Sequence, residues 1–172
     1  MSIPEAPGTP EGHPWIHPSG VRQFDAAVEK MPELLRRLLA APNARRDQHP
    51  HVPPVPGIYL FSETDPVYVG QTRDLRRRLG EHTRAKSAEN EASFAFLIGK
   101  QAAATAGLDI GLTRKRLQAD PAFAVHFKEA KERVAGMDVC WIELRDPIER
   151  TLFEIYASLA LNTVTFNSFE TH

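Results

Sequence analysis

Apolar and polar positions follow two different periods along this chain. Val21, Phe24, Ala27, Met31, Leu34, Leu35 and Leu38 recur at steps of three and four, which predicts a helix over roughly 21–41. Residues 43–54 are polar and proline-rich and read as a linker. Two short apolar runs of strand type follow, GIYLF over 57–61 and PVYVGQ over 66–71, with Glu63-Thr64-Asp65-Pro66 as the turn of a hairpin. Residues 74–85 return to helical spacing, with Asp74 near the start and Leu75 and Leu79 on one face. Two further helices are predicted over 91–106 and 121–135, on either side of a less regular stretch at 108–119. MDVCWIEL (137–144) reads as a strand. Asp146-Pro147, a good cap followed by a good first-turn residue, opens a last helix to about Leu161.

This order implies an α+β fold: a small, mainly antiparallel sheet of about three strands flanked by helices, with a helical N-terminal extension and a helical insert at about 87–136. The expected divisions are a loosely held tail over 1–20, a helix and linker over 21–54, and a main domain over 55–172.

Composition narrows the picture. With 172 residues, 42% hydrophobic and 25% charged, the chain is ordinary globular material and not a disordered, collagen-like or coiled-coil sequence. No apolar run approaches the roughly 18 residues that span a bilayer, so no membrane role is expected. Eleven of the 14 prolines precede residue 57, which is why the start reads as extended. One cysteine, Cys140, allows neither an intramolecular disulfide nor a thiolate metal cluster, and the first residues lack a signal peptide's basic and apolar regions. A cytoplasmic protein is the expectation. The net charge of -1 excludes a protein that grips nucleic acid by bulk attraction. The total nevertheless hides an asymmetry: residues 57–86 carry 6 basic and 4 acidic side chains, whereas residues 137–172 carry 2 and 6.

One constellation carries chemistry. Gly57-Ile58-Tyr59 lies on the first strand and Tyr68-Val69-Gly70 on the second; then come Arg73, Arg76, Arg77, Arg78 and, one turn on, His82. Arg78 and His82 are four apart and share a helix face. A guanidinium suits a phosphate because its planar fork donates in pairs and never loses its charge. An imidazole can pass a proton or hydrogen-bond a phosphate near neutral pH. Two tyrosines on paired strands can point at one site. Phosphodiester hydrolysis also calls for stabilisation of the developing charge and often for a divalent metal.

The pattern resembles the GIY-YIG nuclease family, closely over residues 55–84 and more loosely over 137–172. The resemblance implies a divalent-metal-dependent endonuclease that hydrolyses phosphodiester bonds in DNA, with Mg²⁺ or Mn²⁺ as cofactor. It implies catalytic roles for Tyr59, Tyr68, Arg78, His82 and a late glutamate that binds the metal. Tyr68 is favoured as the base and Tyr59 as an orienting group. Glu154 is the preferred ligand, because it lies 13 residues before Asn167, which follows an aromatic residue as in the family. Glu149 stands in the same relation to Asn162 and remains the alternative. Asn167 opens an Asn-x-Phe-x-x-His ending found in some relatives and is a supporting residue, as are Gly57 and Gly70, which mark close packing and strand ends.

Taken singly, each of these residues has a plainer reading. A strand tyrosine is usually half-buried packing, a run of arginines is usually a solvated helix face, and a late glutamate usually sits on a surface. Arg73, Arg76, Arg77, Arg84 and Lys86 form a plausible track for a sugar–phosphate backbone. Trp141 is expected in the core. Two cuts in a duplex leave room for a homodimer, although one site per chain does not require it. The competing function is a catalytically weak or inactive module of the same scaffold that binds nucleic acid or a protein partner.

Overall fold

The computed structural model describes residues 15–44, 51–84, 86–88 and 90–167. Most of the expected tail, linker residues 45–50 and the chain beyond Asn167 lie outside the described residues.

The single helix predicted over 21–41 is two: α1 (Pro18–Glu29) and α2 (Met31–Ala40). Lys30 caps both. Pro32, in the first turn of α2, has no N–H to offer the carbonyl four residues back, so a continuous helix cannot pass through it. Residues 18–20, expected in the tail, already belong to α1, whose first turn Pro18 opens. The hairpin comprises β1 (Gly57–Ser62) and β2 (Pro66–Thr72). Next come α3 (Leu75–Thr83), α4 (Ser93–Thr105), the short α5 (Arg114–Ala119) in the stretch that had no clear period, and α6 (Pro121–Gly136). The chain ends with β3 (Asp138–Glu143) and α7 (Pro147–Ala160). Asp74, Thr113, Asp120 and Asp146 cap α3, α5, α6 and α7 by accepting first-turn backbone N–H groups.

The three strands form an antiparallel sheet in the order β2-β1-β3. Side chains alternate across its two faces. One face carries Tyr59, Phe61 and Val139, and it is covered by Leu75 and Leu79 of α3, Phe94 and Phe96 of α4, and Phe123, Phe127 and Val134 of α6. Trp141 is only partly buried at the margin of that cluster. The other face carries Ile58, Leu60, Val69, Cys140 and Ile142, and it is covered by Met31, Leu34 and Leu38 of α2 and by Phe153 and Ala157 of α7. The N-terminal helix pair therefore completes one face of the sheet, and the helical insert completes the other. Val52, in the expected linker, is also buried in the first cluster.

No helix among the described residues is long and apolar enough to cross a membrane.

Two glycines set how closely these layers approach. A Cβ on Gly57 would lie 2.3 Å from the Ile142 carbonyl oxygen of β3 and 2.7 Å from Leu75 Cδ1. A Cβ on Gly70 would lie 2.3 Å from the Tyr59 ring. At Gly57 the nearest obstacle is backbone, which cannot swing aside. Gly57→Ala is therefore expected to force β1 from β3 and lower stability by about 1–3 kcal/mol, measured by urea unfolding of both proteins. An unchanged midpoint would mean that the sheet relaxes at no cost.

Candidate active site

The strand register builds the centre. Tyr59 pairs with Gly70 and Phe61 with Tyr68, so both phenols and Phe61 share one face of the hairpin. Gly70 has no side chain, and the Tyr59 ring lies in the space this leaves. α3 starts immediately after β2, and its buried Leu75 and Leu79 turn His82 inward beneath the rings. The Tyr59 hydroxyl is 2.8 Å from His82 Nε2. Tyr68 stacks on Phe94 with ring centroids 4.3 Å apart and planes 12° from parallel. The imidazole is thus surrounded by Tyr59, Phe61, Tyr68 and Phe94.

This enclosure changes the expectation for His82. The ring has no exposed surface, and its Nδ1 has no hydrogen-bond partner among the described residues. Burial, reinforced by the nearby Arg78 cation, holds its pKa well below the usual 6.5. At neutral pH it is an uncharged imidazole that fixes the Tyr59 hydroxyl, rather than a group that passes protons to solvent.

Arg78 lies one turn before His82 on α3 and is held from α4 and the loop before it. Its Nη2 donates to Ser93 Oγ at 2.7 Å, and its Nη1 donates to the Glu91 carbonyl at 2.9 Å and to Glu81 Oε2 at 3.3 Å. One fifth of the side chain remains exposed. Burial raises the pKa of both phenols, that of Tyr59 strongly; for Tyr68 the next cause is the negative charge of Glu154. The Arg78 cation acts in the opposite direction on both. Tyr68 as a residue is half-buried, whereas Tyr59 is fully buried.

The two glutamates occupy different places on α7. Glu149 is in the first turn and forms an ion pair with Lys30 of the N-terminal helices. Glu154 lies against β2: its Oε1 accepts from the Gln71 backbone N–H at 3.2 Å and its Oε2 from Gln71 Nε2 at 2.8 Å. Burial raises its pKa, and the Gln71 contacts and the Arg150 cation oppose that rise. The two asparagines separate in the same way. Asn162, at φ 54°, is the left-handed residue of a Schellman cap that ends α7, with Thr163 N–H bonded to the Ser158 carbonyl. Asn167 is buried beside the hairpin: it donates to the Val69 carbonyl, and its Oδ1 accepts from the Val69 N–H at 3.2 Å and the Thr163 hydroxyl at 3.1 Å. The Glu154–Asn167 pair therefore flanks β2, while Glu149 faces Lys30.

The donor chemistry is narrow. Among the described residues there is no group of three or more His, Cys, Asp or Glu able to hold a metal. A lone carboxylate with unused lone pairs suits a hard cation that keeps most of its water or takes substrate phosphate oxygens, as Mg²⁺ and Mn²⁺ do; it does not suit zinc.

The remaining cations lie outside this centre. Arg73, Arg76, Arg77, Arg84 and Lys86 are exposed. Arg76 Nε donates to the Val52 carbonyl at 2.7 Å, Arg77 pairs with Glu81 at 2.8 Å, and Arg84 Nε donates to the Gly80 carbonyl at 3.0 Å. Phe94, Ser93, Gln71 and Arg150 escaped the sequence reading. Phe94 and Ser93 lie in the insert, and no spacing within the hairpin and α3 points to them. Gln71 directly follows the second tripeptide, so its adjacency was the one available signal.

The family model for the GIY-YIG catalytic domain matches residues 55–106. Comparison with curated proteins and with solved structures gave no match.

His82 gives a pH prediction. Above about pH 7 the ring is neutral in both folded and unfolded chains and adds no pH dependence. Below 6.5 the unfolded ring takes up a proton that the buried ring refuses, so stability falls with pH until the folded value is reached. Urea midpoints of the wild type, taken relative to His82→Gln, should be flat above pH 7 and decline from pH 6.5 downward. A flat difference down to pH 5 would show that His82 titrates normally.

Proposed function

We propose that this chain, whose residues 55–106 match the GIY-YIG catalytic-domain model, is a divalent-metal-dependent endonuclease acting on DNA. The observation that supports this reading most is the convergence of Tyr59, Tyr68, Arg78 and His82 on one face of the hairpin, with Glu154 tied to the same strand as Tyr68. Phosphodiester hydrolysis needs a proton acceptor for water, a fixed cation for the phosphorane-like charge and an oxygen-ligated metal, and this set contains a candidate for each.

In this reading the scissile phosphate sits beside Arg78, whose guanidinium is fixed by Ser93 and the Glu91 carbonyl before substrate arrives. A charge held in place needs no reorganisation as negative charge builds on the phosphate oxygens. Water attacks phosphorus, Tyr68 takes its proton as the phenolate, and the bond from phosphorus to the leaving sugar oxygen breaks. Tyr59, held by His82, orients the water or the phosphate. Glu154 would hold the metal, Mg²⁺ or Mn²⁺, which when bound supplies a Lewis acid for the phosphate and leaving oxygens. The raised pKa of Tyr68 means that it needs help to give up its own proton before it can accept one from water. Arg78 already acts in that direction, and compensating the Glu154 charge would remove one of the causes of the rise. Arg73, Arg76, Arg77, Arg84 and Lys86 are the proposed contacts to the DNA backbone, and binding should weaken with salt. A single site per chain carries this chemistry without a second copy.

The test is plasmid cleavage with Mg²⁺ or Mn²⁺. Tyr68→Phe, Arg78→Ala and Glu154→Ala should each lower the single-turnover rate by about 10²–10⁴-fold, while Glu149→Ala stays near the wild type. A wild type that cuts no faster than Arg78→Ala on several DNA substrates would remove the enzyme and leave the binding module. Loss of cutting in Glu149→Ala alone would move the metal to the other glutamate.

A further inference from the structure

Gln71 and Arg150 belong to none of the proposed catalytic roles, yet they form a connected polar chain that ends on Glu154. Arg150 lies on α7 one turn before Glu154 and is buried, an unusual place for an arginine without a specific task. Its Nη1 donates to the carbonyls of Leu144 and Arg145 at 3.1 and 3.2 Å, which ties it to the turn between β3 and α7. Its Nε donates to Gln71 Oε1 at 3.2 Å. The other end of the same amide, Nε2, donates to Glu154 Oε2 at 2.8 Å and lies 3.4 Å from Thr151 Oγ1.

The direction of this chain is fixed by donor chemistry. Arginine only donates, so the face of the amide toward Arg150 must be its oxygen. The Thr151 hydroxyl gives its own hydrogen to the Pro147 carbonyl at 2.9 Å and can only accept from the amide. Both neighbours therefore turn the Gln71 NH₂ toward Glu154, and the alternative amide orientation would put oxygen against carboxylate. Gln71 then holds both carboxylate oxygens, one through its side chain and one through its backbone N–H. A carboxylate has about four lone-pair sites, and these two contacts leave others open. A direct Arg150–Glu154 ion pair would instead place a permanent cation on the atoms a metal needs; the interposed amide fixes the carboxylate while holding the guanidinium one residue away.

We infer that Gln71, oriented by Arg150, is a positioning residue that presets the Glu154 carboxylate for a divalent cation. The inference rests on the proposed role of Glu154 as metal ligand.

The test is Mn²⁺ binding to metal-free protein without DNA, followed by the electron paramagnetic resonance signal of free Mn²⁺. Thermal melting serves as the check on folding. Gln71→Met keeps the length of the side chain and the backbone N–H but removes the amide; Arg150→Met removes the orienting donor. Outer contacts of this kind typically change metal affinity by about 10–100-fold. Gln71→Met is expected to weaken Mn²⁺ binding at least about 10-fold, and the Gln71→Met/Arg150→Met double variant should bind no more weakly than the weaker single variant, because both act through one amide. Glu154→Gln is the reference for the underlying reading. If Glu154→Gln loses Mn²⁺ and folded Gln71→Met binds as the wild type does, the positioning role is overturned and the metal reading stands. If Glu154→Gln binds Mn²⁺ as the wild type does, the metal reading fails and this inference with it. Additive losses in the double variant would likewise overturn action through a shared amide.

Discussion

The outer edge of a sheet presents backbone N–H and C=O groups that must find partners, and β2 is such an edge. Successive outward N–H groups, those of Val69 and Gln71, are taken by the side chains of Asn167 and Glu154. Both acceptors come from the C-terminal part of the chain, so this one constraint ties α7 and the segment after it to the strand that carries Tyr68. The rest of the centre depends on that tie. It brings a carboxylate to the tyrosine hairpin, and it brings Phe166 against Phe94, which stacks on Tyr68.

The same edge separates the two faces of the site. Tyr59, Tyr68, Arg78 and His82 belong to the face covered by α3, α4 and α6. Glu154 belongs to α7 on the other face and meets β2 through Gln71 at the margin of the sheet. Its charge raises the pKa of Tyr68, which makes the ionisation of the phenol sensitive to whatever sits on the carboxylate. Arg78 and His82 differ although they are four residues apart. One keeps part of its surface exposed and its charge; the other is sealed among rings as a neutral group.

Much of the fold was legible in the sequence because its signals are local. The two strand tripeptides, the Asp74 and Asp146 caps and the Leu75–Leu79 face depend on neighbours within a few residues, and the structure has each where the pattern put it. The split at Lys30 was missed although Pro32 signalled it, because the apolar period continues smoothly across the break. The burial of Val52 was missed because a valine among prolines has no periodicity to read. At the site, the tyrosines, Arg78 and His82 were legible as a motif, while Ser93, Phe94, Gln71 and Arg150 were not. Their partners lie 15 to 83 residues away in sequence, and single-sequence patterns carry no such distances. The choice between Glu149 and Glu154 was posed by spacing alone; the ion pair with Lys30 and the hydrogen bonds of Gln71 separate their environments in physical terms.

The glycines of the two tripeptides have a consequence for how such a pattern is read. Each marks a volume in which no atom can be added: one where β1 lies against Leu75 and the Ile142 carbonyl of β3, the other where the Tyr59 ring lies against β2. Those volumes are demanded by the shape of the scaffold whether or not it turns over a substrate. Two letters in the six thus report on geometry alone, and a descendant that lost its chemistry would be under the same pressure to keep them. Inheritance of a fold and inheritance of an activity are recorded at different positions, the first at Gly57 and Gly70, the second, in the proposed reading, at Tyr68, Arg78 and Glu154.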